Sequence, residues 1–521
     1  MKFEKKCFLI GMAAVMSVSC ISGCKDKDVS GGESKLTYWS PFYPHYSNMG
    51  ESRGDAPFFK ELSKRTGVQI EFIHPPAGNE AENFNLMVSS GDLPDLIEYS
   101  FLSYKGGPEK ALDDNIIKEI TKEEMKSKAP NLAKVLLEHP QWDKQVKTDS
   151  GKYYCFPAIR GDESLDYWRG MQIRKDYLDK IGMEAPETIE EWEKVLTAFK
   201  EQLNIENPLT FLSSDKNKNN YLSFVGAYGI TNSFFLKDGK VIFGPMTDEY
   251  GEFISLFNRW AEKGLIDPDY ATQDGKTMDA KIASGRAGAY EGSAGGDMGR
   301  HIAATKANDP TAELMAVKPP VLKKGDEPKI GFKDFDYIPT QSIHISTNCK
   351  NIDAAFKLLD YGYGEEGHMY FNFGVEGTSY NMIDGYPTFV DSIIHPTDGT
   401  AVSNTIAEYA LSSVLGPMVQ DARYFEQYMV NPEQRMTAEM WKLAGDASWR
   451  MPNVTYTLEE ARDISSKLNE IDSYRTEMEA KFILGREPLS NLSKYRQTLK
   501  DMGLEEVIKV MQAAVERYES R

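Results

Sequence analysis

The chain has 521 residues, 41% of them hydrophobic, and carries 79 acidic against 60 basic side chains for a formal charge of −19. That length can bury a large core and exceeds one ordinary domain. The acidic balance excludes a surface built for non-specific nucleic-acid or anionic-membrane binding, which depends on positive patches.

Lys2, Lys5 and Lys6 open the chain, an apolar stretch runs from Cys7 to Val18, and Ile21-Ser22-Gly23-Cys24 follows. A charged start, an apolar core too short to span a bilayer permanently, and small residues before a cleavage point form the layout of a bacterial secretory signal. Ile-Ser-Gly-Cys resembles a lipobox, in which Cys24 receives a diacylglycerol and becomes the first mature residue. Removing residues 1–23 takes away three lysines and one glutamate, so −19 becomes −21. The polar run Lys25–Ser34 reads as a flexible tether. Of the five cysteines only Cys155 and Cys349 lie beyond Cys24. They are expected as two separate buried thiols, in a compartment that also permits a disulfide.

Leu36–Trp39 reads as a strand, followed by the Pro-rich aromatic loop Ser40-Pro-Phe-Tyr-Pro. A helix over Phe58–Arg65 stops at Gly67, a strand over Val68–Ile73 follows, and a helix over Glu82–Ser89 precedes a buried strand at Leu96–Tyr99. This alternation predicts parallel pairing through βαβ connections. Gly151–Ile159 and Tyr337–Ser346 are extended stretches that read as hinge passages. Thr188–Glu191 is a capping box, and Ile189, Trp192, Val195, Leu196 and Phe199 share one helical face. Phe253, Phe257 and Trp260 repeat that spacing before Gly264. A second capping box, Thr457–Glu460, opens a long helix striped by Ala461, Ile464, Leu468, Ile471, Met478 and Phe482.

Six phrases then stand in order: Gly91-Asp-Leu-Pro-Asp-Leu-Ile97, Gly151-Lys-Tyr-Tyr-Cys-Phe-Pro157, Ile173-Arg-Lys-Asp-Tyr-Leu-Asp-Lys-Ile-Gly182, Glu262-Lys-Gly-Leu-Ile-Asp-Pro268, Phe373-Gly-Val-Glu-Gly-Thr-Ser-Tyr380 and Lys481-Phe-Ile-Leu-Gly485. Together they resemble the large family 1 extracellular solute-binding lipoproteins of bacterial ABC transporters, in the branch largely devoted to oligosaccharides. The resemblance implies an α/β, type 2 periplasmic-binding-protein fold: two lobes of discontinuous segments around a hinge and a central cleft. It implies a monomer on the extracellular face of the cell membrane, held by its lipid. Its partners are then an oligosaccharide and the ABC permease, with no nucleic acid. The expected division is a signal at 1–23, a tether at 24–34, lobe 1 at 35–157 with a return at 343–395, lobe 2 at 158–342, and a helical part at 396–521 placed mainly with lobe 2. Alginate-oligosaccharide relatives carry a calcium loop in the region of Asp215, Asn217 and Asn219. Tyr221, Ser223 and Phe224 stand here where further ligands would come. One carboxylate is too few for an ion that wants six to eight oxygens, so no metal and no cofactor is expected.

Other chemistry is poorly supported. Gly362-Tyr-Gly-Glu-Glu-Gly367 matches a dinucleotide pattern by letter but follows a helix rather than a strand. Acidic pairs such as Asp113-Asp114 and Glu190-Glu191 belong on solvated helix faces rather than in a glycosidase site. Aromatic and arginine side chains remain, suited to stacking on sugar faces and fixing hydroxyls. Ligands of open α/β sheets sit beyond the carboxyl ends of strands. That places Trp39, Ser40, Phe42 and Tyr43 after the first strand, and Tyr99 and Ser100 after the third. Tyr290 and Glu291 end a short strand from Ala287; Trp168 precedes the strand into Arg174; Glu376 and Tyr380 lie in the Gly-Val-Glu-Gly loop. Arg174 has a structural alternative, pairing with Asp176. Truncating Trp39 to alanine is expected to weaken sugar binding with little loss of stability. No catalytic residue is assigned. A secreted glycan-active enzyme and a ligand-sensing subunit of a signalling system are the alternatives.

Overall fold

The computed structural model describes residues 34–212, 221–397, 400–444 and 447–521. The signal, Cys24, the tether up to residue 33, and Asp215, Asn217 and Asn219 lie outside the described residues.

β1 (Ser34–Trp39) lies between β2 (Val68–Ile73) and β3 (Leu96–Glu98), parallel to both. The crossover helices Pro57–Thr66 and Glu80–Ser90 dictate that direction, because a parallel pair needs a connection that returns to the same end of the sheet. The first of them ends where Gly67 adopts the left-handed conformation, at φ 67°. β4 (Phe156–Arg160) belongs to the same sheet. The chain then leaves to build a second sheet from β5 (Arg169–Arg174), β6 (Asn207–Thr210), β9 (Ala287–Ser293) and β10 (Leu314–Ala316), with a β7–β8 hairpin (Phe234–Lys237 and Lys240–Phe243) inserted between β6 and β9. β11 (Tyr337–Ile345) returns to the first sheet between β3 and β4, antiparallel to each. Parallel pairing therefore fails at β11, which arrives from the second sheet and not through a helical crossover beside its neighbours. The hairpin of β12 (Tyr380–Ile383) and β13 (Tyr386–Phe389) precedes β14 (Met418–Gln420), which joins the first sheet parallel to β4. The final orders are β14-β4-β11-β3-β1-β2 and β10-β5-β9-β6.

Each sheet has its own core. Leu36, Ile97, Phe156, Ile343 and Phe356 pack in the first; Ile173, Trp192, Phe257, Trp260 and Phe482 pack in the second. Trp192 and Trp260 are completely enclosed, as their helical stripes require. Helix Leu458–Ile483 presents Ile464, Ile471, Met478 and Phe482 to the second core, with Ala461 buried at its start. The same helix buries an unexpected ion pair, Arg475 with Glu479. Glu479 also accepts hydrogen bonds from Tyr250 Oη at 2.8 Å and Asn232 Nδ2 at 3.2 Å. Cys155 and Cys349 are both buried and free.

The chain crosses between the two cores along paired segments. Arg160 N donates to Asp336 O at 2.7 Å and Asp334 N donates to Asp166 O at 2.9 Å. Arg160 also bridges to the Asp334 carboxylate at 3.0 Å. Outgoing and returning strands are thus tied side by side at the crossing.

Candidate functional site

β1 ends at Trp39, and Ser40 extends its pairing by one more bond, from its N–H to Ile73 O at 3.1 Å. Pro41 and Pro44 cannot donate to a ladder, so the chain turns away into a single 3-10 turn over Pro44–Tyr46. A buried ionic centre pins this loop from beneath. Glu98, the last residue of β3, accepts from Tyr43 Oη at 2.6 Å, Tyr38 Oη at 2.9 Å and Arg53 Nη1 at 2.7 Å. Arg53 Nη1 donates also to Ser40 Oγ. The guanidinium lies 5.1–5.4 Å from the ring centres of Tyr43, Tyr46, Phe59 and Phe72. Burial opposes the charge on Arg53, but Glu98 together with Tyr46, Tyr38 and Tyr43 outweighs it, and the pKa is raised. Burial and the same carboxylate hold the Tyr43 phenol far above its ordinary value, so it stays a hydrogen-bond donor.

Beside this centre, Tyr99 is half-buried and stacks on Phe84 with ring centres 4.0 Å apart. Trp39 meets Tyr99 edge-on at 5.9 Å and Phe84 at 6.2 Å. The carboxyl ends of β1 and β3 therefore bring Trp39, Ser40, Tyr43 and Tyr99 together; Phe42 lies alongside, its ring 5.2 Å from that of His74. Trp39 is only 4% exposed. It is part of the lobe's core, so its truncation carries a packing cost, contrary to the expectation of little stability loss. The half-exposed surfaces here belong to Phe42, Tyr43 and Tyr99.

The second lobe places its candidates differently. β9 runs on to Ser293, so Tyr290 and Glu291 lie within the strand rather than at its end. Tyr290 is fully buried with His301 edge-on at 4.9 Å. Glu291 is held by Arg169 at 3.1 Å, and burial raises its pKa. Arg174 donates twice to Asp176, at 2.7 and 2.8 Å, and lies 3.9 Å over the Tyr177 ring. Its guanidinium is spent on the structural pairing. Trp168 is half-buried at the crossing: its Nε1 donates to Asp334 at 2.9 Å, with Phe332 edge-on at 5.0 Å and Arg160 5.7 Å from the ring. Glu376 is exposed on its loop, while Tyr380 is buried against Phe373 at 5.8 Å.

Sequence reasoning overlooked Arg53, Glu98, Asp334 and Arg450. A signal existed for one of them, since Glu98 is a lone carboxylate inside the apolar strand Leu-Ile-Glu-Tyr. Arg450 donates to the carbonyls of Lys333 and Asp334 and lies 3.5 Å over the Phe335 ring, anchoring the crossing. Among the described residues no group of three or more His, Cys, Asp or Glu side chains could hold a metal. No described helix is long and apolar enough to cross a membrane. The arrangement offers aromatic faces and pinned polar groups, suited to holding a ligand in place.

Comparison with known proteins agrees with this architecture. The family model described as bacterial extracellular solute-binding protein matches residues 50–369. The fructooligosaccharide ABC transporter substrate-binding protein FusA of Streptococcus pneumoniae serotype 4 is 26% identical over 93% of this chain and 90% of its own length. The lipoprotein LipO of Bacillus subtilis is 23% identical over 77% of this chain and 79% of its own. The crystal structure of the alginate-binding protein AlgQ2 without calcium ion superposes with a TM-score of 0.79 at 21% identity, covering 94% of this chain and all of that one. The two-lobed solute-binding fold is thereby shared along nearly the whole chain.

Proposed function

The chain belongs to the bacterial extracellular solute-binding protein family, and from that membership we propose that it is the lipid-anchored capture component of an ABC importer for an oligosaccharide. The observation that carries this reading is the pairing of two independent cores across tied crossing strands, with the half-exposed Tyr43 and Tyr99 set at the strand ends of one lobe. Rings present faces to sugar C–H groups, and the Tyr99 phenol offers a hydrogen bond to a hydroxyl, while that of Tyr43 is committed to Glu98. The fructooligosaccharide for which FusA is named supports the choice of ligand class.

Ligand held between the lobes favours their closed arrangement, because only there does it touch both walls. A permease engages that form and takes the ligand. No covalent chemistry is asked of the chain. Cys24, with two acyl chains, would supply the two hydrophobic attachments that stable anchoring needs, and the LipO relative is named as a lipoprotein. Of the candidates, Phe42, Tyr43 and Tyr99 line the first lobe's side in this proposal and Trp168 stands at the crossing. Trp39 and Arg53 act through them.

A thermal-shift screen over neutral and acidic oligosaccharides tests the reading, since a bound ligand raises stability by mass action. Chromatography of the same mixtures after incubation follows the fate of the sugar. A stabilising sugar recovered intact supports capture. Cleaved products would replace it with a glycan-active enzyme, and a screen without any stabilising sugar would remove the ligand class.

A further inference from the structure

We propose that a separate cavity, lying between loop 102–108 of the first lobe and helix Leu458–Ile483 of the second, is an outer subsite for one further neutral sugar unit, and that it sets the chain length this protein prefers. The proposal rests on the oligosaccharide-capture reading and deepens it. The cavity measures about 350 Å³ and is lined by Tyr104, Lys105, Phe234, Tyr456, Asn469 and Asp472, among others. That volume falls near the lower end of the roughly 300–1,000 Å³ typical of small-molecule pockets.

Its two walls belong to different cores. Tyr104 packs against the first hydrophobic cluster, whereas Phe234, Val454, Tyr456 and Leu468 pack against the second. A ligand reaching into it therefore bonds across the lobes, and its binding energy adds to whatever holds them together. The cavity also neighbours the candidate site, sharing buried Phe84 behind its wall. Tyr99 stacks on Phe84, and Phe84 meets Tyr104 edge-on at 6.5 Å, so a line of ring contacts runs from the strand ends to this wall.

The lining matches a sugar in kind. Tyr104 is oriented by its hydroxyl, which donates to Asp114 at 2.8 Å, and Tyr456 and Phe234 supply further half-buried rings. Asn469 brings an amide with donors and an acceptor, and Asp472 a carboxylate oriented by Arg475 at 2.9 Å. Asp472 is already paired with Arg475, so apart from Lys105 the lining offers rings, hydroxyls and an amide, which suit an uncharged sugar unit. Gly106 and Gly107, at φ 97° and 72°, fold the loop back tightly and leave the space open.

The test is calorimetric titration of the full mature chain with size ladders of neutral fructo-, galacto- and xylo-oligosaccharides of two to five units. Wild type is compared with Asn469→Trp, which fills the cavity from an exposed helix position, and Asn469→Ala, which removes only the amide; thermal unfolding confirms that both variants are folded. Wild type should bind the longest member of its preferred ladder more tightly than the shortest. Asn469→Trp should abolish that gain, lowering affinity for the longest sugar by about tenfold and for the shortest by less than about twofold. Asn469→Ala should lose part of the gain. An equal loss at every length, no loss at any length, or a wild type indifferent to length overturns the subsite while leaving capture standing. A wild type that binds no member of any ladder removes both.

Discussion

Arg53 and Glu98 form an ion pair 2.7 Å long whose side chains are 1% and 0% exposed, directly beneath the aromatic loop. A charge pair so deeply enclosed is seldom neutral to remove by halves, because the partner left behind is a charge without compensation. Two tyrosines and a serine share the centre, so the loop, β1 and β3 are joined through four hydrogen bonds among five side chains.

Glu98→Gln should destabilise the first lobe by about 3–5 kcal/mol, the range for breaking one side of a buried pair. Arg53→Met should do the same. Urea unfolding checks both; a change below about 1 kcal/mol for either would mean the pair carries little of the loop's placement.

Trp39→Ala and Tyr99→Ala should separate core from contact. The first removes a nearly enclosed ring and should cost about 3–5 kcal/mol of stability. The second removes a half-exposed ring, so its stability cost should be the smaller of the two, with the larger relative loss in sugar affinity. Denaturation and titration of both variants against one bound oligosaccharide give the comparison, and the reverse order would move the contact surface to Trp39.

Asp166 gives the crossing a pH dependence. Burial, then repulsion from Asp336, pushes its carboxyl from 3.8 up to about 7, and its Oδ1 is buried without a hydrogen-bond partner. Between those values the folded protein keeps a proton that the unfolded chain releases. The stability contribution is therefore complete below the unfolded value, falls as pH rises through the window, and is lost above about 7. Asp166→Asn should flatten this slope and be the more stable protein at pH near 8, by on the order of 4 kcal/mol at most. Parallel unfolding curves of wild type and variant at about pH 5 and pH 8 would refute the assignment.

Gly170→Ala probes how the C-terminal region attaches to β5. A Cβ there would come within 2.4 Å of the Trp441 ring nitrogen, with more ring atoms at 2.5 and 2.6 Å. Trp441 is 1% exposed and has no room to retreat, so overpacking should cost about 1–3 kcal/mol, read as a lowered thermal midpoint.

Much of the fold was legible in local pattern. The capping boxes at Thr188 and Thr457 open helices in the structure, and Gly67 ends one. Trp192 and Trp260 are enclosed where their spacing placed them. The candidate site was less legible. Strand ends lie where Trp39, Ser40, Tyr43 and Tyr99 come near one another, yet which of those rings stays half-exposed depends on Phe84, contributed by a helix after the next strand. The apolar run alone ends at Tyr290, whereas β9 continues through Gly292 and Ser293 by pairing with β5, which puts Tyr290 and Glu291 inside the strand.

Periodicity, caps and ordered motifs, all encoded within short stretches of chain, were enough to specify the elements, the two-lobed family and the aromatic character of the loop after β1. Whether a given side chain is buried, paired or open was settled in space. Arg53 meets Glu98 across 45 residues, Arg160 meets Asp334 across 174, and Tyr221 meets Glu479 across 258. Contacts of that separation leave no local trace, because their energy comes from desolvation and geometry that exist once the sheets have assembled.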